Sequence, residues 1–204
     1  NSVAYKTKPE MGTFMREWMS LYDSKSGERG IFNRQSAIKQ AAKNGRRDTD
    51  HDFGCNPCSE IILRPYQFCN LSEVVVREND TLDTLKNKVR LATILGTFQA
   101  TLTNFKYIRN IWKKNTEEER LLGVSLTGIM DSPITATAGK KLESLLEVLR
   151  DVAVHTNKSL SVQLDIPQST AVTCVKPSGT VSQLTDAASG IHARHNPFYI
   201  RTVR

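Results

Sequence analysis

The sequence predicts an α/β fold in which helices connect parallel strands. Two long segments carry apolar residues every three or four positions, the spacing of a buried helical stripe. Short β-prone runs lie before, between and after these segments. Helices of this length between strands are typical of parallel crossovers. Periodicity alone does not separate a closed barrel from an open, doubly wound sheet.

Apolar spacing predicts three helices. A short helix is expected after Pro9, with the apolar residues Met15, Trp18, Met19 and Tyr22. A long helix is expected from Thr81 to about residue 105, with N-cap side chains at its start and a buried stripe of Leu85, Val89, Ala92, Leu95, Phe98, Leu102 and Phe105. A further helical stripe ends before Pro167 and consists of Leu142, Leu145, Leu149, Val152, Thr156 and Leu160.

Short runs of β-branched and other apolar residues predict the strands. They occupy residues 61–63, 73–77, 123–129, 171–176 and 199–203. A short helix that extends through Leu184 is expected to follow the fourth of these runs. The strands and long helices alternate along the chain, as in a series of parallel crossover units.

Length and cysteine content suggest a piece of a larger cytoplasmic protein. The chain has 204 residues, enough for one domain or a large part of one. Because it starts without Met and ends just after an apparent strand, we interpret it as an internal fragment. No signal peptide or apolar run long enough to span a bilayer is present, so we expect no membrane partner. Four cysteines in a cytoplasmic setting are more typical of thiols than of a structural disulfide framework.

The formal net charge of +7 raises the alternative of a basic nucleic-acid-binding module. Basic residues cluster at Lys39, Lys43, Arg46 and Arg47, and again at Arg109, Lys113 and Lys114. The second cluster leads directly into Glu117, Glu118 and Glu119, which predicts a solvated surface of mixed charge. Aromatic residues make up only 7% of the chain. Nucleotide phosphates are therefore the favoured anionic partner, and no direct nucleic-acid contact is expected.

A thiol, an amide and a carboxylate alternate in one short run. If the segment is extended, Asn56, Cys58 and Glu60 share one face, because successive side chains of a strand point to opposite sides. A reactive sulfur, a hydrogen-bonding amide and a potential base would then surround one small volume. Cys69, eleven positions after Cys58, could supply a second redox thiol. These residues predict a radical or redox site for a polyhydroxylated substrate.

Other interpretations of these cysteines stay open. A free cysteine is often only a small buried apolar residue. Cys55 and Cys58 also form a C-x-x-C pair, which is found in zinc half-sites and in thioredoxin-like motifs. A structural zinc site needs a second paired set of ligands, and the remaining cysteines and histidines form neither a second close pair of cysteines nor an H-x-x-x-H pair. The role of Cys55 is left unassigned.

A small, glycine-containing turn predicts an anion site. Pro177, Ser178, Gly179 and Thr180 follow the predicted strand at 171–176 and precede the predicted short helix. Backbone N–H groups at such a turn can bind an anion, and the two hydroxyls can donate further hydrogen bonds. An ordinary strand-to-helix turn capped by Ser or Thr has the same composition, so the tetrapeptide alone leaves both possibilities open.

Four segments in the same order resemble ribonucleotide reductases. NPCSEI at residues 56–61 resembles the active-site finger loop, and Pro57 within it resembles the adenosylcobalamin-dependent class II branch. GERGIFNR at residues 27–34 resembles the segment upstream of that loop, and LGVSLTGI at residues 122–129 resembles a barrel strand. VKPSGTVS at residues 175–182, with SGIHAR at 189–194, resembles the loop that binds the substrate phosphates.

The resemblance implies a fold and a function. The chain is expected to be a single fragment, residues 1–204, of a catalytic domain built as a ten-stranded α/β barrel, with a central finger loop at about 53–63 and a phosphate loop at about 176–182. Such an enzyme reduces ribonucleoside diphosphates or triphosphates to 2′-deoxyribonucleotides. Its cofactor is adenosylcobalamin, whose contacts are not identifiable in this chain. Its partners are the ribonucleotide, a dNTP or ATP effector, and a thioredoxin-like or other dithiol reductant.

The resemblance also implies a role for each site residue. Cys58 corresponds to the thiyl-radical residue, Glu60 to the base on the 3′ hydroxyl, and Asn56 to the amide that holds the sugar hydroxyls. Cys69 corresponds to one half of the reducing dithiol, whose partner lies upstream of this chain. The turn at residues 177–180 corresponds to the substrate-phosphate site. No protein-bound metal ion is predicted.

Two other reductase classes provide alternatives. A class I large subunit shares the amide, the radical cysteine, the carboxylate and a redox cysteine. Pro57 and the short separation of Cys58 from Cys69 favour class II instead. An anaerobic glycyl-radical reductase is not expected to carry both Glu60 and Cys69 in these roles.

Overall fold

A computed structural model describes residues 8–26, 30–200 and 202, and the chain divides into two compact units, Asn1–Asn33 and Arg34–Arg204. The first unit contains helix α1, Met11–Asp23. Glu10 caps this helix because its carboxylate accepts the backbone N–H groups of Gly12 and Thr13 at 2.9 and 3.0 Å. The helix predicted after Pro9 is therefore confirmed. Residues 27–29, the start of the GERGIFNR segment, lie outside the described residues.

The second unit contains the remaining helices and strands. In chain order they are α2 (Arg34–Ala42), β1 (Gly54–Cys55), β2 (Ile62–Leu63), β3 (Asn70–Val75), α3 (Leu82–Gln99), α4 (Asn110–Glu119), β4 (Leu122–Thr127), a 3-10 turn (Ile129–Asp131), α5 (Pro133–Ala136), α6 (Lys140–Gln163) and α7 (Val181–Leu184).

Parallel pairing joins three extended segments. Strands β3 and β4 are parallel, with Asn70 opposite Leu122 and Val75 opposite Thr127. On the other side of β4, Val124 forms a parallel bridge with Thr173. Helices α3 and α4 connect β3 to β4, and α6 connects β4 to the segment around Thr173. The predicted α/β pattern with parallel crossovers is confirmed.

Helix α3 packs on the β3–β4 pair and α6 packs against α3. A capping box at Thr81 starts α3, and Leu85, Val89 and Ala92 enter the core as predicted. The later part of the predicted stripe is wrong, because Leu95, Phe98 and Leu102 are exposed. Small residues occupy the buried face there instead, where Gly96 lies against Leu122 and Ser72, and the helix ends at Gln99.

Several predicted elements differ from the structure. The strand predicted at 171–176 is reduced to the single bridge at Thr173. The strand predicted at 199–203 is absent at residues 199, 200 and 202, and residues 201 and 203 lie outside the described part. The charged stretch 113–119 is not a solvated surface throughout, because it forms the end of α4 and buries Glu119.

The expected ten-stranded barrel is not confirmed. The strands of the described residues form two sheets of two strands each, β1–β2 and β3–β4, and they do not close into a barrel. Within the same described ranges, no helix has the length and apolar character needed to cross a membrane.

Candidate active site

Residues 56–61 form the loop of a short hairpin rather than an extended run. Strands β1 and β2 pair antiparallel, with Cys55 opposite Ile62. The Ser59 N–H donates to the Asn56 carbonyl at 2.9 Å, closing a four-residue turn with Asn first and Pro57 second. The Asn56 side-chain oxygen also accepts the Ile61 N–H at 3.0 Å. The single extended face predicted for this run is wrong, because the chain reverses within it.

The thiol and the carboxylate of the turn differ in solvent exposure. Cys58 is exposed in the turn, whereas the Glu60 side chain is 0% exposed. Cys55 donates from its sulfur to the Ser59 hydroxyl at 3.4 Å. Among the described residues, no group of three or more His, Cys, Asp or Glu side chains could hold a metal ion. The hairpin therefore presents one thiol at its tip and turns one carboxylate inward.

Lys176 is the partner of the buried carboxylate. Its Nζ lies 2.7 Å from Glu60 Oε1, and Glu60 Oε2 is buried without a hydrogen-bond partner among the described residues. Burial is the largest influence on Glu60 and raises its pKa. The hydrogen bond and charge of Lys176, helped by the Glu60 backbone N–H, outweigh burial, so the pKa lies below its ordinary value. Glu60 is therefore a carboxylate at neutral pH with one open acceptor oxygen.

A second carboxylate, Glu73 on β3, interacts electrostatically with Lys176. Burial raises the pKa of Glu73, Lys176 opposes that shift, and Glu60 adds to it. The Glu73 Oε1 accepts a hydrogen bond from the Ser178 hydroxyl. Sequence reasoning missed Lys176 and Glu73 as site residues. The only sequence signal for Lys176 was its place at the start of the expected phosphate loop.

The Glu60 carboxylate acts electrostatically on two half-buried thiols, Cys69 and Cys174. Burial, with a smaller contribution from the Glu60 charge, raises the pKa of Cys69 to about 11 and that of Cys174 to about 12. Gly123 makes room for Leu71, for the Cys174 sulfur and for Ile61 of the hairpin loop. A Cβ there would come within 2.5 Å of Leu71 Cδ2 and 3.1 Å of the Cys174 sulfur. Both cysteines are therefore protonated thiols at neutral pH.

The expected phosphate loop is packed tightly at one position and open at the next two. Ser178 is buried with a left-handed φ of 52°, and its hydroxyl is engaged by Glu73. Gly179 and Thr180 are exposed. A Cβ at Gly190, whose φ is also positive, would lie 2.4 Å from the Lys176 carbonyl oxygen, so this segment closely covers the loop.

A buried ion pair anchors both legs of the hairpin. Arg47 donates from Nε and Nη2 to the two carboxylate oxygens of Glu119 at 2.9 and 2.8 Å, and its guanidinium lies 4.7 Å from the Phe53 ring centre, just before β1. Arg64, just after β2, places Nη2 3.2 Å from Glu119 Oε1. Gln67 links these groups, since it donates to Glu119 and accepts the Arg64 N–H. Arg47, assigned above to a basic cluster, is therefore committed to this anchor.

With this geometry established, comparison with known proteins is informative. No protein-family model matches the chain. An adenosylcobalamin-dependent ribonucleoside-triphosphate reductase of Euglena gracilis is 30% identical over 185 residues, which cover 88% of this chain and 24% of the relative. The reductase of the same name from Lacticaseibacillus paracasei is 28% identical over 235 residues, covering 100% of this chain and 30% of the relative.

A solved structure gives the same answer. A B12-dependent (class II) ribonucleotide reductase superposes with a TM-score of 0.56 and 25% identity, over 73% of this chain and 23% of that protein. The chain matches a fragment of the adenosylcobalamin-dependent ribonucleotide reductases. It spans about a quarter of the length of the first curated relatives that it matches. The predicted resemblance of the chain to class II ribonucleotide reductases is therefore confirmed.

Most of the site residues expected from the resemblance to ribonucleotide reductases lie near one another in the structure. The expected finger loop carries Asn56, Cys58 and Glu60, and the Glu60 charge raises the pKa of Cys69. The phosphate segment reaches the same place through Lys176, which binds Glu60. Ser178 differs from expectation, because its hydroxyl is used within the protein. The roles assigned to these residues remain predictions.

Proposed function

We propose that this chain contributes the radical cysteine and much of the catalytic site of an adenosylcobalamin-dependent ribonucleoside-triphosphate reductase, which makes 2′-deoxyribonucleotides for DNA synthesis. The observation that carries the proposal is that one hairpin turn holds an exposed thiol, Cys58, and a buried carboxylate, Glu60, and that this carboxylate interacts electrostatically with the protonated thiol of Cys69. The triphosphate substrate is proposed because the matched relatives carry that name.

Three hairpin residues have separate roles in the first half of the reaction. A thiyl radical on Cys58 removes the 3′ hydrogen of the ribose. Glu60 accepts the proton of the 3′ hydroxyl through Oε2, the oxygen that Lys176 leaves open. Asn56 uses its side-chain oxygen to hold the loop and also interacts with Glu60 through its side chain. We assign its remaining amide N–H capacity to the sugar hydroxyls.

The second half of the reaction needs two electrons. The 2′ hydroxyl leaves as water with a hydrogen from one of two thiols, C2′ receives the hydrogen of the other, and the two sulfurs join in a disulfide. Glu60 returns the proton to the 3′ oxygen, and Cys58 returns the hydrogen to C3′ and becomes a radical again. Cys69 is one of the two thiols, and its pKa of about 11 keeps it in the hydrogen-bearing form. We assign its partner to a cysteine outside this chain, upstream in the full-length protein. A dithiol reductant, such as a thioredoxin-like protein, then restores the pair.

The cofactor fits the chemistry of the exposed thiol. Bound adenosylcobalamin supplies the one-electron chemistry that side chains do not supply themselves. Cys58 is open to a separate radical generator because it is exposed at the tip of the turn. We assign no residue of this chain to cofactor binding.

The substrate phosphates are assigned to the segment 177–180. Gly179 and Thr180 are exposed and can offer backbone N–H groups, with the Thr180 hydroxyl as a further donor. Pro177 and Ser178 shape the turn, and the Ser178 hydroxyl contributes only if it leaves Glu73.

We assign the whole protein the ten-stranded barrel of the class II reductases, with residues 53–63 as its central loop. A dNTP or ATP effector belongs to the same proposal. So does a cytoplasmic location, which suits a chain whose four cysteines are all free.

Peptide mapping after a single turnover tests this assignment. The full-length protein is given a ribonucleoside triphosphate and adenosylcobalamin without external dithiol, and then alkylated and digested. We expect one equivalent of deoxynucleotide and a disulfide between Cys69 and a cysteine outside this chain. A parallel incubation without substrate should leave Cys69 free. Deoxynucleotide formed while Cys69 stays free, or is joined to Cys55 or Cys58, would contradict the assignment.

A further inference from the structure

Glu60 depends on a residue far away in the sequence. The Lys176 Nζ lies 2.7 Å from Glu60 Oε1, and the two residues are 116 positions apart. The Glu60 side chain is 0% exposed and that of Lys176 is 23% exposed. A buried carboxylate without a partner is costly, so this contact is what allows Glu60 to remain charged in its buried position.

The backbone of Lys176 is held on two sides. Its N–H donates to the hydroxyl of Ser125, a buried residue of β4, at 3.0 Å. Gly190 packs against its carbonyl oxygen so closely that a Cβ at Gly190 would lie 2.4 Å away. The ammonium therefore extends from a fixed point, and the contact with Glu60 sets the direction of the carboxylate.

The contact also divides the two carboxylate oxygens. Oε1 binds Lys176, while Oε2 is buried without a partner among the described residues. The other titratable groups near this pair, from the finger loop and the three extended segments, are thiols and a carboxylate: Cys58, Cys69, Glu73 and Cys174. None of these four can replace a positive charge.

We propose that Lys176 is a positioning residue, which binds one oxygen of the ionised Glu60 carboxylate and leaves the other oxygen open to accept the proton of the substrate's 3′ hydroxyl. This inference rests on the proposed function, because it assigns Lys176 a task in that reaction. Lys176 itself does not touch the reacting atoms.

Loss of the lysine charge has a defined sign. In Lys176→Gln the burial of Glu60 remains and its main stabilising charge is lost, so the pKa of Glu60 rises. Below that pKa the carboxyl is protonated and cannot accept a proton. The acidic limb of kcat/KM therefore moves to higher pH, by about one to three pH units. Lys176→Arg keeps the charge and should recover at least half of the shift.

The experiment uses the full-length protein with adenosylcobalamin and compares Lys176→Gln, Lys176→Arg and Lys88→Gln. Lys88 is a matched control because it forms a similar half-buried pair, 2.6 Å from Asp80, at the start of α3. We expect the pH profile to shift only in Lys176→Gln, with kcat approaching the wild-type value at high pH. A wild-type profile in Lys176→Gln, or the same shift in Lys88→Gln, would overturn the inference.

A second measurement does not need turnover. The infrared carboxylate band of Glu60, isolated by subtracting a Glu60→Gln spectrum, is titrated in the wild type and in Lys176→Gln. We expect a midpoint below the ordinary glutamate value in the wild type and a higher one in the variant. A wild-type midpoint at or above the ordinary value overturns the inference even if Lys176→Gln does not fold. A wild type that makes no deoxynucleotide contradicts the proposed function, while this titration still decides the Lys176–Glu60 link.

Discussion

Replacing Arg47 with methionine should destabilise the hairpin that carries the finger loop. Arg47 forms two hydrogen bonds to Glu119, at 2.9 and 2.8 Å, and their side chains are only 4% and 1% exposed. Removal of one partner of a buried ion pair costs about 3–5 kcal/mol, since the other charge stays buried. Arg64 remains 3.2 Å from Glu119, so we expect the lower end, about 3 kcal/mol.

Amide hydrogen exchange can measure this loss of stability within the hairpin. The Ile61 N–H donates to the Asn56 side chain and the Arg64 N–H donates to Gln67, so both amides report on the hairpin. A loss of about 3 kcal/mol corresponds to roughly a hundredfold faster exchange, at 1.36 kcal/mol per factor of ten. We expect this acceleration in the 53–64 peptide of the full-length Arg47→Met protein.

Two further variants make the test specific. Arg47→Met combined with Glu119→Leu removes both charges, and exchange should return most of the way to the wild-type rate. Arg150→Met breaks an exposed pair with Asp151 at 3.1 Å and should leave the 53–64 peptide unchanged. Less than a twofold change in Arg47→Met, or equal acceleration in the double variant, would refute the argument that this ion pair anchors the hairpin.

Two other predictions concern the thiols and the phosphate segment. Cys69 and Cys174 should alkylate far more slowly than the exposed Cys58 at pH 8, where about one part in a thousand of Cys69 is thiolate. Their rates should rise as pH approaches 11, and fast labelling of Cys69 at pH 8 would argue against its burial. Thr180→Ala should raise KM by a similar factor for all four bases with little change in kcat, which steady-state kinetics will measure. A base-selective effect would instead assign Thr180 to base recognition.

The sequence predicted the members of the finger site for a partly wrong reason. An extended run was expected to bring Asn56, Cys58 and Glu60 together. The structure instead contains a turn that starts at Asn56, with Pro57 second, a turn signal that was present in the sequence.

Long-range contacts were beyond sequence reasoning. Glu60 and Lys176 are 116 positions apart, and Arg47 and Glu119 are 72 apart. Neither pair lies within the local spacing on which periodicity depends. Glu119 belongs to a charged stretch that predicts a solvated surface. Its burial depends on how α4 packs, which local spacing does not predict. By contrast, α3 and α6 were predictable because their stripes extend over several helical turns.

The exposed end of α3 illustrates a limit of pattern reading. Leu95 and Phe98 continue an apolar spacing, yet the side that is buried against the strands and α6 carries Thr93, Gly96 and Thr97. Threonine hydroxyls are acceptable there because each donates to a carbonyl one turn earlier, Thr93 to Val89 and Thr97 to Thr93, both at 2.8 Å. The apolar spacing therefore predicted the wrong side of the C-terminal half of α3 as the side that faces the core.

The most direct test of the central claim is Cys58→Ser in the full-length protein, with Cys55→Ser as the matched control. Both variants are assayed for deoxynucleotide with a ribonucleoside triphosphate, adenosylcobalamin and a dithiol, and for substrate binding. The serine O–H bond is too strong for the hydrogen-atom exchange that a thiol performs. We predict no turnover in Cys58→Ser, near-normal substrate binding, and sustained turnover in Cys55→Ser. Multiple turnovers by Cys58→Ser would contradict the assignment of Cys58 as the radical residue.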